Sequence, residues 1–218
     1  MNIMDFVRIG MRRSWRLSLD EASDYLTFDI FGTFNFANRE ISNPEYIPSP
    51  TRAVQHAIDL LNSSDDEFIN GTFVDCAAGK GKPCLVAARL GYQTFICVER
   101  DESTFKTLTN NFNKISQKYP NITTTLLHDD FLKFDEKSVD TYKEKGYVTF
   151  WLFDLRSALP DFFVRATQLC LKWSIANAAI LLLSERGLPS FDGWDLITST
   201  DLGYDGSRQI WMYRLKRS

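Results

Sequence analysis

From Phe73 onward the apolar positions alternate between two rhythms: short unbroken runs, and longer stretches where they recur every three or four residues. The first rhythm predicts strands covered on both faces, the second helices with one packed stripe. Residues 71–76 (GTFVDC), 94–99 (TFICVE), 122–127 (ITTTLL), 147–153 (YVTFWLF) and 176–184 (ANAAILLLS) read as five strands. Between the first two, 82–90 (KPCLVAARL) reads as a helix, with Pro83 in its first turn and Gly91 where a helix end favours positive φ. Phe105, Leu108, Phe112 and Ile115 mark the face of a second helix, begun by Asp101 and Glu102. Leu159, Phe162, Phe163, Ala166, Leu169, Cys170 and Trp173 mark a third. Near the end WDLITS and RQIWMYRL flank TDLGYDG, which predicts an antiparallel pair. The whole pattern predicts a doubly wound α/β sheet, mostly parallel with right-handed crossovers and an antiparallel last strand.

Upstream, Ser49 as cap, Pro50 as first helical residue and Val54, Ala57, Ile58 and Leu61 as apolar stripe predict a helix in SPTRAVQHAIDLL. The preceding SNPEYIPSP holds three of the seven prolines and reads as an ordered loop. Residues 1–40 read as one or two helices, with Ser18 and Glu21 as a capping box. Phe28, Phe31, Phe34 and Phe36 either roof a pocket or pack the added segment. The expected organisation is an N-terminal extension or lid over 1–43 and one α/β domain over 44–218.

A composition of 44% hydrophobic and 24% charged residues is that of a packed globular chain. The net charge of −3 gives no whole-molecule attraction to nucleic acid, which leaves that partner open but unadvertised. Arg8, Arg12, Arg13 and Arg16 are close together and read as a solvated helix face. No apolar run approaches the roughly 18 residues that a membrane span needs, and no signal-peptide order opens the chain. The expectation is a cytoplasmic protein that does not insert into membranes. Cys76, Cys84, Cys97 and Cys170 lie in apolar surroundings without a CxxC pair, and only His56 and His128 accompany them. They read as reduced core thiols, with no metal site.

Three features fall at predicted strand ends, where open α/β sheets bind ligands. The first is Asp75-Cys76-Ala77-Ala78-Gly79-Lys80-Gly81, whose small residues at 77, 78, 79 and 81 let the main chain approach a ligand closely. The second is Glu99, placed to accept hydrogen bonds from two ribose hydroxyls, with Arg100 beside it. The third is His128-Asp129-Asp130-Phe131, where Asp130 could bind the amine of an adenine and the Phe131 ring cover its face. Each has a plainer reading, as turn glycines, helix N-terminal acid or turn acid. Their joint placement favours a nucleotide site. A P-loop needs Gly-Lys followed by Ser or Thr, but Lys80 precedes Gly81 and Lys82 precedes Pro83. A dinucleotide turn needs a glycine where Cys84 stands. Asp75 would repel a pyrophosphate and welcome a cationic or zwitterionic ligand, and S-adenosylmethionine is one.

These residues resemble the class I, Rossmann-like, seven-stranded S-adenosylmethionine-dependent methyltransferases. Residues 75–81 are similar to that family's D-x-G-x-G-x-G motif, with Ala77 at the first glycine, Glu99 at the acid of the second motif, and Asp130-Phe131 at the adenine pair. SNPEYIPSPTRAV followed by FVDCAAGKGKP resembles a subgroup with a Y-x-P-T/S-P loop, which includes small bacterial methyltransferases and Dot1-like protein-lysine methyltransferases. Tyr46, Pro48, Ser49 and Pro50 carry that match, and Lys82 stands where arginine is usual. The resemblance covers residues 44–218.

It implies methyl transfer from S-adenosyl-L-methionine to an amine acceptor, foremost a protein lysine, with a small molecule or RNA as alternatives. Transfer from a sulfonium is an in-line displacement that needs alignment and desolvation more than a dedicated base. Phe153-Asp154-Leu155-Arg156 ends the fourth strand, where the family puts substrate-facing residues; it is not the N/D-P-P-Y/F/W tetrad. Asp154 is the candidate catalytic residue, orienting or deprotonating the amine, or else a helix-capping acid. Phe153 and Tyr46 are the candidate substrate contacts. A cofactor-binding protein without transferase activity, or an NAD-type dehydrogenase, are the rival readings.

Overall fold

The computed structural model describes residues 49–135, 139, 146–153, 159–184, 191–201 and 209–216. Among the described residues four helices, a 3-10 turn and seven strands follow in order: α1 Thr51–Ser64, the 3-10 turn Asp66–Asn70, β1 Thr72–Asp75, α2 Lys82–Arg89, β2 Thr94–Glu99, α3 Glu102–Lys118 and β3 Thr123–His128. Then come β4 Tyr147–Phe153, α4 Leu159–Lys172, β5 Asn177–Ser184, β6 Trp194–Asp201 and β7 Gln209–Leu215. They form one seven-stranded sheet in the order β3-β2-β1-β4-β5-β7-β6. The first five strands are parallel, and β7 runs antiparallel to both β5 and β6.

Helices occupy both faces, as the alternation predicts. Ala53, Val54, Ala57, Ile58 and Leu61 of α1 join the apolar faces of α2 and α3 in one core layer against Phe73, Phe95, Cys97, Trp151, Leu181 and Met212. Alternate strand residues Val74, Ile96, Phe150, Ile180 and Tyr213 point the other way, onto α4 and Phe131. β5 is buried at seven of its eight positions because it lies mid-sheet with helices on both sides. β3 lies at an edge; it is threonine-rich, and none of its six residues is fully buried.

Local chemistry sets the ends of these elements. Asp101 caps α3, its Oδ1 accepting the Thr104 N–H at 2.8 Å. Gly91, just past α2, has φ 111°. Two expectations are corrected. Pro50 is the N-cap of α1 rather than its first helical residue: its ψ of 133° keeps it extended, and no side chain caps the helix, so Ser49 does not. The polar segment after α1 forms the 3-10 turn that apolar periodicity did not signal, pinned by Phe68, which is 1% exposed. The expected N-terminal extension, the 43/44 boundary, Ser18, Glu21, Tyr46 and the aromatics Phe28, Phe31, Phe34 and Phe36 lie outside the described residues.

Candidate functional site

The turn leaving β1 is tied to both neighbouring strands before it reaches α2. The Cys76 N–H donates to the Trp151 carbonyl of β4 at 3.3 Å, and the Ala78 N–H to the Val98 carbonyl of β2 at 2.9 Å. The Gly81 N–H then closes a four-residue turn on the Ala78 carbonyl at 2.8 Å. Gly79 has φ 54°, and Lys80 has an ordinary negative φ, the sign pattern of a turn that wants glycine at its first central position. Gly81, at φ 85°, is the N-cap of α2. A Cβ there would meet Leu108 Cδ1 at 2.8 Å and Phe112 Cε2 at 3.1 Å, so this glycine is required by close packing against α3. Ala77 is the exposed member of the turn.

Glu99, the last residue of β2, joins the turn directly. Its Oε2 accepts the Gly79 N–H at 2.8 Å and its Oε1 the Asp101 N–H at 2.8 Å. Each carboxylate oxygen keeps a second lone pair for a further donor. Partial burial raises the Glu99 pKa, and these backbone bonds oppose the rise.

Arg100 is exposed; its carbonyl lies 3.2 Å from His128 Nε2, and the His128 ring stacks on Phe105 at 5.0 Å. Asp130 follows β3, beside the end of β2 through the Glu99–His128 register. Its Oδ1 accepts the Leu132 N–H at 3.0 Å, and its Oδ2 is 3.9 Å from Lys133 Nζ. Phe153 is half-buried at the end of β4 and packs against the α1–α3 layer. Asp154 and Tyr46 lie outside the described residues.

Two expectations change with the geometry. Asp75 does not present a charge to a ligand; it is 1% exposed, beneath the turn, with its Oδ2 3.7 Å from Cys84 Sγ. Burial pushes its pKa up to about 7, against hydrogen bonds from Cys84 and the Ala77 backbone. Its role here is to support the turn from below. The Phe131 ring does not stand free to cover a nucleobase. It is 2% exposed and stacks on Phe162 at 5.0 Å with planes 7° apart, among Phe134 and Phe150. Core packing claims the ring because β3 delivers it onto the α4 face.

Several contributors escaped the sequence reading. Asn111 of α3, 1% exposed, donates from Nδ2 to the Lys80 carbonyl at 2.9 Å. Arg165 of α4, 8% exposed, donates to the Phe131 carbonyl at 3.3 Å and to the Phe134 carbonyl at 2.6 Å, holding the turn after β3. The one available signal was a polar residue on or beside an otherwise apolar helical face. Cys84 and Cys97 sit 3.1 Å apart under the first turn, and burial raises both thiol pKa values. Among the described residues no group of three metal-ligating side chains converges, and no helix is long and apolar enough to cross a membrane.

No protein-family model matches the chain, and no curated protein sequence does. Solved structures do. The METTL16 methyltransferase domain aligns at 11% identity over 92% of this chain and 79% of that one, with a TM-score of 0.59. The rRNA methyltransferase aviRa from Streptomyces viridochromogenes aligns at 12% identity over 83% and 95%, with a TM-score of 0.54. An RNA methyltransferase from Salinibacter ruber, crystallised in complex with S-adenosyl-L-homocysteine, aligns at 15% identity over 79% and 95%, with a TM-score of 0.53. At such identities likeness speaks for architecture alone, and the architecture is the seven-stranded, Rossmann-like methyltransferase fold.

Proposed function

We propose that the protein is an S-adenosylmethionine-dependent methyltransferase. The observation that carries this reading is Glu99, whose carboxylate reaches across from β2 to bond the Gly79 N–H of the β1 turn at 2.8 Å. An acid and a glycine turn locked together at adjacent carboxyl ends suit a nucleoside: the free lone pairs of Glu99 accept ribose hydroxyls, and the turn permits close main-chain approach. Asp75, buried beneath the turn with its pKa raised to about 7, repels a carboxylate-bearing ligand less than a fully ionised acid would.

When bound, S-adenosylmethionine supplies a methyl group activated by a sulfonium. Glu99 fixes the ribose, Ala77, Gly79 and Gly81 shape the turn, and Asp130 accepts the adenine amine, with Arg100 alongside. Asp154, which follows β4 in the sequence, would orient or deprotonate the acceptor, with Phe153 and Tyr46 as the candidate acceptor contacts. RNA is the acceptor we favour. Two of the relatives above are named as RNA or rRNA methyltransferases, while the protein-lysine expectation rests on the loop around Tyr46 alone.

The test is transfer of tritiated methyl from S-adenosylmethionine to separated RNA, protein and small-molecule fractions of a cell lysate. Label in RNA supports the reading, and label in protein restores lysine. Binding of the cofactor with no label in any fraction identifies a non-catalytic binder.

A further inference from the structure

The β1 turn is gripped from outside by one face of α3. Leu108 and Phe112 occupy the space that a side chain on Gly81 would need, at 2.8 and 3.1 Å. Between them Asn111, 1% exposed, donates to the Lys80 carbonyl at 2.9 Å. The same peptide unit, Lys80–Gly81, gives its N–H to the Ala78 carbonyl. Both polar atoms of this peptide are therefore committed, one to the turn and one to the helix. Because Gly81 has no Cβ, it is the residue at which the peptide could flip at low steric cost. A flip would break the bond closing the turn on Ala78 and re-aim the backbone leading into α2. With the Lys80 carbonyl bonded to a buried amide, the flipped state leaves a buried donor unsatisfied, which is costly.

We infer that Asn111 is a positioning residue for the cofactor site: by holding the Lys80–Gly81 peptide in one orientation, it keeps the Gly79 N–H aligned on Glu99 and the turn ready for the nucleoside. This rests on the reading of the turn as the S-adenosylmethionine site. It acts through the turn and touches no ligand.

Two readouts test it. Asn111→Leu keeps the side-chain volume without the donor, and Asn111→Gln keeps the amide. In the ligand-free protein, amide hydrogen exchange at Gly79 and Gly81 should quicken in Asn111→Leu by more than exchange elsewhere in α3, with at most the modest fall in melting temperature expected of one lost buried hydrogen bond. Calorimetric titration with S-adenosylhomocysteine should show affinity falling about tenfold in Asn111→Leu, the scale of one lost hydrogen bond. Asn111→Gln should recover part of it. Unchanged exchange at Gly79 and Gly81 would overturn the inference, as would loss confined to a general drop in melting temperature with uniform exchange along α3. If wild type binds no S-adenosylhomocysteine, the proposed function fails, and the exchange result alone decides whether Asn111 sets the turn.

Discussion

The turns leaving β1 and β3 lie at the same carboxyl end of the sheet, with β2 between them, and are built on opposite plans. In the first, polar atoms of three elements converge on the main chain: Glu99 from β2, Asn111 from α3 and the Ala78 carbonyl within the turn. Its residues are small except Lys80, whose side chain is buried at 1% exposure, and none is aromatic. In the second, Asp130 caps its own turn through the Leu132 N–H, while the Phe131 ring anchors the segment in the α4 core layer. Arg165 fastens that turn by its carbonyls. The contrast separates two ways of holding a loop. Hydrogen bonds from neighbouring elements hold the first turn without an aromatic anchor of its own, and Ala77 is its exposed residue. A buried aromatic anchor gives stability and leaves only a polar cap for recognition.

Substitutions can break this contrast, and the largest effect should come from Gly79→Val. A branched residue at φ 54° is strained and would fill the approach to the turn. Calorimetry should show S-adenosylhomocysteine binding weakened by roughly a thousandfold or more, about 4 kcal/mol, with the circular dichroism of the fold retained. Phe131→Ala should act on stability instead, losing about 3–5 kcal/mol in urea unfolding. Equal losses of affinity and stability in both variants would erase the distinction between the turns.

Asp75 adds a pH dependence to the first turn. Its folded pKa of about 7 lies above the ordinary 3.8, so the fold prefers the protonated form. The stability it contributes is full below about pH 4 and is lost as pH rises through about 7, by at most about 4 kcal/mol for a rise from 3.8 to about 7. The raised pKa of Glu99 works in the same direction. Asp75→Asn, always neutral, should flatten the profile between about pH 4 and about pH 7, measured by urea unfolding. A profile as steep as that of wild type would remove Asp75 as its source.

Glu99→Ala should weaken cofactor binding by about 1.5–3 kcal/mol, the scale of hydrogen bonds to a charged group. The smallest effect is expected from Asp130→Asn, about 0.5–1.5 kcal/mol in the same titration, because the amide still offers an acceptor to the Leu132 N–H. If Asp130→Asn exceeded Glu99→Ala, the second turn rather than the first would hold the ligand's main polar contacts.

The strands were legible because a parallel sheet covered on both faces needs unbroken apolar runs, and 94–99 and 147–153 match β2 and β4 to the residue. The glycine turn and Glu99 were legible because backbone approach and a strand-end acid leave local signatures. What could not be read depends on distant partners. Asn111 bonds a carbonyl 31 residues away, and Arg165 bonds carbonyls 31 and 34 residues away. A lone amide or guanidinium in a helix does not announce such a partner. Phe131 was placed at the right turn, but its direction depended on which sheet face β3 delivers it to. Asp75 was identified as an acid, yet its protonation follows from burial, which sequence spacing does not reveal.

In the function proposed, Glu99 and the turn around Gly79 hold a methyl-donor nucleoside. The most direct test is a crystal structure of the protein with S-adenosylhomocysteine. The ribose hydroxyls should lie on the Glu99 carboxylate, with the Gly79 N–H still bonded to that carboxylate. A nucleoside bound elsewhere, or contacting neither residue, would contradict this placement.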